Sequence, residues 1–434
     1  MGYERQKLSE VKRQHSLIDK IYNEHNLREA FKSVKRNQGA PGIDGETVQQ
    51  YAESLDENID SLHNSLKTKS YLPSPVKRVE IDKPDGGVRL LGIPTVKDRV
   101  VQQAVVNIIE PFFDKQFHPS SYGYRPNKSQ HQAVSKVEFY LRHKLEFVVD
   151  MDLSKCFDTL DHKIMMKEVA KTVPDGSVLN LIESFLKAGI MVDGAYESSE
   201  IGSPQGGVIS PLLSNIYLNI FDQKIMTNAD YRLVRYADDI LILTKSKRDA
   251  QNAKAWATKI LEEELKLTVN QDKTNLTSYK EGVTFLGFTI LPKYTVIDKK
   301  RIRRFKDKVR ELTKRNSGIP IEIVIGRLNR YLRGWINYYK IANIKTFCRN
   351  MMSWIRRRLR MVKMKQWKTY KAMHKEMRRK GINHNGEKMN VTLWKNSKVH
   401  LIHILLPNSW FDTMKLINLT HYEVGLLSNG NVRW

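Results

Sequence analysis

The chain has 434 residues, 41% of them hydrophobic, which suits two to four domains with sizeable cores. Its formal net charge of +26 calls for a polyanionic partner. Two cysteines, Cys156 and Cys348, with no Cys-x-x-Cys between them, exclude a disulfide scaffold or cysteine-based zinc module and fit reducing, cytoplasmic surroundings. No apolar run reaches transmembrane length and the first residues carry no signal-peptide core, so no membrane partner is expected. The charge is regional. From Lys299 to Lys380 there are 28 lysines and arginines against 4 acids, a net of +24, and the rest of the chain is nearly neutral. That pattern predicts one segment dedicated to gripping nucleic acid.

In chain order, residues 8–36 carry Leu8, Val11, Leu17, Ile18 and Ile21, then Leu27, Ala30, Phe31 and Val34, at helical spacing. Asn37 to Gly45 holds three glycines and one proline. It is either a connector or a loop whose bare backbone approaches a polymer strand. A further helix is predicted over about 47–68. Val76 to Pro94 reads as two strands around Pro84-Asp85-Gly86-Gly87, a hairpin signal. Its Lys83 and Arg89 either reach phosphate or face solvent. A helix over about Asp98–Phe113 precedes the aromatic-basic loop Ser121-Tyr122-Gly123-Tyr124-Arg125-Pro126.

Phe147 to Leu153 is a buried-type strand carrying Asp150 and Asp152. An acid in an apolar run is costly unless paired or bound to metal. Ile201 to Pro211 is a rigid Pro/Gly turn that leads into a helix, Leu212–Ile225, and makes Gln205 a candidate nucleotide contact. Leu233 to Leu243 places the adjacent acids Asp238 and Asp239 at the tight turn of an apolar hairpin. Either this is an exposed turn, or the two carboxylates hold a hard cation such as Mg²⁺. With a third acid from the 147–153 strand, the set suits two Mg²⁺ ions about 3.5–4 Å apart, the arrangement for in-line nucleotidyl displacement.

A helix is predicted over about 248–265, followed by Leu267–Thr274 and a strand-like Val283–Ile290. In the basic segment Leu328, Leu332, Trp335, Ile336 and Tyr339 share one helical face, while Arg327, Arg330 and Arg333 lie largely elsewhere. A helix around 346–363 carries Arg356, Arg357, Arg358 and Arg360. Such helices, apolar faces packed and basic faces outward, would line a nucleic-acid groove. Residues 381–434 read as a small folded piece with Trp394, Leu401, Ile402, Ile404 and Trp410; His384, His400, His403 and His421 have no metal-site spacing.

Several of these stretches form an ordered set: Gly39-Ala40-Pro41-Gly42-Ile43-Asp44-Gly45, Lys83-Pro84-Asp85-Gly86-Gly87, Ser121 to Pro126, Ser203-Pro204-Gln205-Gly206-Gly207, Tyr236-Ala237-Asp238-Asp239, Phe285-Leu286-Gly287-Phe288, and Arg333 to Tyr339. On them the chain resembles the reverse transcriptases (maturases) encoded by bacterial group II introns, most closely the compact kind without an endonuclease domain. The resemblance is nearly full-length and loosens over the last fifty residues. Tyr124 stands where Phe is commoner in that family. The resemblance implies an α+β right-hand polymerase. Its expected parts are an N-terminal extension and start of the fingers (1–75), fingers (76–145), a palm with an antiparallel sheet (146–295), a basic helical thumb (296–380) and a small DNA- or RNA-binding C-terminal region (381–434).

It also implies roles. Asp152, Asp238 and Asp239 become the catalytic, metal-binding acids. Phe157 stands five residues after Asp152, where the family keeps a sugar-gate aromatic, and this selects Asp152 over Asp150. Lys83, Arg89, Gln205 and Lys273 become nucleotide contacts. The implied activity is RNA-directed DNA synthesis with two Mg²⁺ ions, from deoxynucleoside triphosphates on an RNA template with a DNA primer. The implied partners also include the parent group II intron RNA, for splicing, and a DNA target, for retrohoming. A retron-, CRISPR- or defence-associated reverse transcriptase is disfavoured by Arg333-Gly334-Trp335. A splicing-only maturase is disfavoured by the intact acids.

Overall fold

The computed structural model describes residues 16–82, 87–192, 195–197, 201–202, 206–382 and 400–427. It divides into two compact units, Met1–Thr277 and Ser278–Trp434. The division falls inside the stretch expected as palm, short of residue 295.

In the first unit, residues 8–15 of the opening helical stretch, with Leu8 and Val11, lie outside the described residues; the remainder is two helices, α1 (Ile18–Tyr22) and α2 (Glu24–Asn37), broken at Asn23, whose side chain accepts from the His25 amide. The 47–68 stretch is likewise split at Ser54 into α3 (Val48–Glu53) and α4 (Leu55–Lys67); Thr47 and Gln50 cap α3 reciprocally. Strands β1 (Val76–Asp82) and β2 (Val88–Ile93) form the expected antiparallel hairpin. Helix α5 (Val96–Asp114), capped by Thr95, is buried on most sides.

The glycines of the 37–45 loop serve the chain itself. A Cβ on Gly42 would sit 2.7 Å from the Thr95 backbone, and one on Gly39 2.7 Å from Arg99 Nη1. Arg99 donates to the carbonyls of Gln38 and Ala40. Gly39 and Gly42 therefore dock the loop on the start of α5.

Helix α6 (Gln130–Arg142) leads to β3 (Phe147–Met151), the short β4 (Leu153–Ser154) and a 3₁₀ turn, Cys156–Asp158. Helices α7 (His162–Thr172) and α8 (Gly176–Lys187) follow, then β5 (Ile190–Val192) and β6 (Ala195–Glu197). One carboxylate ties distant helices together: Asp175 caps α8 and also accepts from the Leu17 and Ile18 amides at the start of α1. Helix α9 (Ser210–Ile225) is buried nearly all round. The hairpin β7 (Arg232–Tyr236) and β8 (Asp239–Thr244) comes next, then α10 (Lys247–Lys259), which ends in a π-helical turn, β9 (Thr268–Val269) and β10 (Asn275–Ser278).

These strands build two four-stranded sheets, β2-β1-β5-β6 and β10-β3-β8-β7, and a small β4-β9 pair. The second sheet buries Val148, Val149, Leu233, Ile240 and Ile242. One apolar core runs from Leu17 to Val269.

The second unit opens on a three-stranded sheet, β11 (Val283–Phe285), β12 (Phe288–Ile290) and β13 (Thr295–Ile297). Helices α11 (Lys299–Leu312), α12 (Ile321–Tyr339), α13 (Lys345–Gln366) and α14 (Tyr370–Arg379) follow, then α15 (His400–Leu405) and α16 (Asn408–Thr413). Two motifs meet here. Tyr338 donates to the Leu286 carbonyl, and Phe288 packs on Tyr338 and Tyr339 with ring centroids 5.5 and 5.2 Å apart. A methionine-rich satellite core (Met364, Met373, Met377) meets Leu401, Ile402 and Leu405. Trp394 and His384 lie outside the described residues. Among the described residues no helix is long and apolar enough to cross a membrane.

Candidate active site

Two of the three acids, Asp152 and Asp238, line one cleft; Asp239 is not among its lining residues. Asp152 follows β3, and its backbone is held on both sides: the Asn270 amide donates to its carbonyl at 2.8 Å, and its own amide donates to Thr274 Oγ1 at 3.4 Å. Its side chain is 38% exposed. Asp238 sits in the β7–β8 turn and Asp239 pairs with Tyr236 at the start of β8; both are exposed. The turn is as tight as the sequence predicts. Ala237 takes a left-handed φ of 57°, which a two-residue hairpin turn favours and a non-glycine residue adopts only under strain.

An open cleft of about 580 Å³ is lined by Asp152, Asp238, Phe157, Arg89 and Lys273, with Glu80 and Asn270 beside them. That volume suits a nucleotide-sized ligand. Lys273 Nζ stands 3.7 Å from Asp152 Oδ2. Both groups are solvated, so the pair adds little stability and mainly keeps a cation at the cleft. Phe157 is half-buried in the 3₁₀ turn. Lys155, just before it, is left-handed at φ 50°. Asp150 is set apart from this group. Burial first, and the Asp152 carboxylate second, push its carboxyl up to about 6, and it is absent from the cleft lining. Burial likewise raises the Tyr124 phenol, helped by Asp238, Tyr236 and Asp239, and opposed by Arg89. Lys83 and Gln205 lie outside the described residues.

A divalent cation fits this donor set. Mg²⁺ takes hard oxygens from one or two carboxylates and completes its shell with waters and substrate phosphates. Asp152 and Asp238 offer such oxygens on one cleft, with a cation beside them for phosphate. Among the described residues no three His, Cys, Asp or Glu side chains are gathered into a ligand cage.

Sequence reasoning missed the residues that hold the cleft in shape. Gln102 accepts from the Val208 amide at 2.7 Å and so fixes the loop after Gln205. A Cβ on Gly206 would lie 2.5 Å from the Gly92 carbonyl of β2, and one on Gly202 2.6 Å from the Asp158 carbonyl. These glycines allow close backbone approach, Gly206 to the hairpin and Gly202 to the 3₁₀ turn. Arg235, inside apolar β7, is wholly buried against Asp222. An arginine in an apolar strand was the available signal for that pair.

In the second unit Arg327, Arg330 and Arg333 are exposed on α12, opposite the buried Leu328, Leu332 and Ile336. The α13 arginines divide. Arg357 is exposed, and Arg356 is half-buried. Arg358 donates to Thr313 Oγ1 at 2.6 Å and to the carbonyls of Arg310 and Thr313, closing the end of α11. Arg360 is 4% exposed, donates to the Leu406 carbonyl at 2.9 Å and stacks on Phe411. Arg358 and Arg360 are thus corrections: an arginine stem long enough to reach solvent also reaches back to the chain's own carbonyls.

The Asp152 and Asp238 carboxylates share a cleft with Arg89 and Lys273, a set that suits nucleotidyl transfer of the polymerase type. Comparison with known proteins gives the family. Residues 81–290 match the reverse transcriptase (RNA-dependent DNA polymerase) family, and residues 302–381 the group II intron, maturase-specific domain. The chain is 34% identical to Protein YkfC of Escherichia coli (strain K12) over 62% of its own length and 80% of that protein. It is 29% identical to the group II intron-encoded protein LtrA of Lactococcus lactis subsp. cremoris, over 60% of itself and 54% of LtrA. A putative COX1/OXI3 intron 2 protein of Saccharomyces cerevisiae matches at 27% over 63% of the chain and 39% of that protein. The chain thus spans most of YkfC and about half or less of the two intron proteins. It belongs to the reverse transcriptases that carry a group II intron maturase domain, which as a family use a divalent metal.

Proposed function

We propose that this reverse transcriptase extends a DNA primer on an RNA template with Asp152, Asp238 and Asp239 as metal ligands for two Mg²⁺ ions, and that it binds its parent intron RNA for splicing and retrohoming into a DNA target. The observation that carries the reading is the single cleft on which Asp152, Asp238, Phe157, Arg89 and Lys273 converge. The chemistry that two such ions supply when bound is activation of the primer 3′-hydroxyl and neutralisation of the leaving pyrophosphate. Asp152 and Asp238 orient oxygens toward the reacting phosphate. Arg89 and Lys273 bind triphosphate oxygens, and Lys83 and Gln205 are proposed as further nucleotide contacts. The Phe157 ring excludes a 2′-hydroxyl and so selects deoxynucleotides. Arg327, Arg330, Arg333, Arg356 and Arg357 bind RNA phosphates. The proposed domain limits are those of the right-hand plan, with the thumb over 296–380.

The test is primer extension on an RNA template with deoxynucleoside triphosphates, in Mg²⁺ and in EDTA. Extension only in Mg²⁺ is expected. No extension, or extension that EDTA leaves intact, would contradict the proposal. Splicing of the parent intron RNA with and without the protein checks the second half.

A further inference from the structure

Arg235 is a fully buried charged side chain three residues before Asp238, and none of its side-chain partners lines the cleft. Arg235 and Asp222 are both 0% exposed. Nε donates to both Asp222 oxygens, at 2.8 and 3.0 Å, and Nη2 donates to Oδ2 at 2.6 Å. This fork–fork geometry leaves Nη1 free to point elsewhere. Nη1 donates to the carbonyl of Ala237 at 3.0 Å and to Asn215 Oδ1 at 3.0 Å. Ala237 is the left-handed residue immediately before Asp238.

Asn215 extends the network. Its Nδ2 donates to the Gly123 carbonyl at 2.8 Å. Gly123 lies so close to the turn that a Cβ there would sit 2.3 Å from the Ala237 amide nitrogen. The same segment binds the β7 backbone: the Arg235 amide donates to the Ser120 carbonyl at 2.9 Å, and the Tyr122 amide donates to the Arg235 carbonyl at 2.8 Å. Asn215 and Asp222 are seven residues apart on α9, hence two turns along one helical face. The guanidinium therefore joins α9 to the turn that carries Asp238, and the Arg235 backbone and Asn215 tie in the 120–123 segment.

We propose that Arg235, locked by Asp222 and Asn215, is a positioning residue that holds the strained Ala237 peptide and thereby aims the Asp238 carboxylate at the metal. The inference rests on the proposed function of the cleft. Well-packed apolar residues commonly replace such buried pairs without loss of stability, so stability alone does not account for this one. Here the third bond goes to the peptide whose backbone is strained and whose next residue is the ligand.

The test uses the full chain with Arg235→Met and Asp222→Leu combined, which fills the space without leaving a lone charge, and Arg235→Lys as the conservative variant. Thermal unfolding checks the fold. Single-turnover extension is then measured across an Mg²⁺ series, and Mn²⁺ binding is titrated by electron paramagnetic resonance. We expect the folded double variant to show a maximal rate about 10²-fold lower, the scale for an ångström of misplacement, with weaker Mg²⁺ and Mn²⁺ dependence curves, unchanged KM for deoxynucleotide and unchanged RNA affinity. Arg235→Lys should recover little, since an ammonium cannot make the fork and the third bond together. A double variant that is folded and matches wild type in rate and metal dependence would overturn the proposal. So would one whose only defect is a lower unfolding temperature. If the wild-type chain itself neither extends primers nor binds Mn²⁺, the function of the cleft fails, and this inference with it.

Discussion

The two compact units use charge in opposite ways. In Met1–Thr277 the charges that matter are few and their backbone settings are fixed: Asp152 is held by Asn270 and Thr274, and the Ala237 peptide before Asp238 by Arg235. In Ser278–Trp434 charge is abundant, and arginines of the same segment have divergent fates. Arg327, Arg330 and Arg333 are exposed, whereas Arg358 and Arg360 bond to the chain's own hydroxyl and carbonyl oxygens. An acid in an apolar strand is therefore informative residue by residue, because burial makes it costly without a partner. An arginine in a basic amphipathic helix is informative only as part of its segment.

The largest expected effect breaks the first unit alone. Asp152→Ala, Asp238→Ala or Asp239→Ala should each lower primer extension by roughly 10³-fold, beyond the 10–100-fold typical of an outer-shell partner, while intron RNA binding stays at the wild-type level. Rapid-quench extension and filter binding measure the two quantities. Near wild-type extension in any of the three would remove that acid from the metal site.

A second break falls on the other unit. Replacing Arg327, Arg330 and Arg333 together with Gln should weaken RNA binding and flatten its dependence on log salt by roughly two to three units, just under one for each phosphate no longer neutralised. An unchanged slope would mean that this face of α12 does not touch the backbone. Smaller, and different in kind, is Arg360→Met. It leaves the Leu406 carbonyl without its charged donor and should cost about 1.5–3 kcal/mol, seen as a lower thermal midpoint at an unaltered salt slope. A flattened slope in that variant would return Arg360 to the nucleic-acid face. The smallest effect sharpens the palm side. Phe157→Val should raise ribonucleotide relative to deoxynucleotide incorporation about tenfold, the scale on which an apolar pocket discriminates small groups. Unchanged sugar discrimination would withdraw the gate role, and with it the argument that Phe157 makes for Asp152 over Asp150.

The hairpin at Asp238 and Asp239, the β1–β2 finger and the apolar face of α12 were legible because periodicity and turn chemistry act locally. The splits at Asn23 and Ser54 were hidden inside continuous apolar spacing. Helices α6, α7 and α8 and strands β5 and β6 went unread; they depend on caps such as Ser129, Asp161 and Asp175 and on pairing with β1 far away in sequence. At the site, residue types pointed to Asp238, Asp239 and one of Asp150 and Asp152, and the resemblance chose Asp152; the residues bonded to the backbone around them did not stand out. Asn270, Thr274, Asn215 and Asp222 act through bonds that span 13 to 122 residues, and only an arginine in an apolar strand, Arg235, pointed toward the last two. The glycines of the 37–45 loop announced a close approach without saying to what.

The most direct test of this division of labour sets two variants side by side on one RNA template and DNA primer, Asp238→Asn and the Arg327, Arg330 and Arg333 triple replacement by Gln, measuring affinity across a salt series and the single-turnover rate at saturation. The account predicts that Asp238→Asn binds with wild-type affinity and slope yet fails to extend, while the triple variant binds weakly with a flattened slope yet extends at the wild-type rate once saturated. Extension by Asp238→Asn, or a wild-type salt slope in the triple variant, would contradict it.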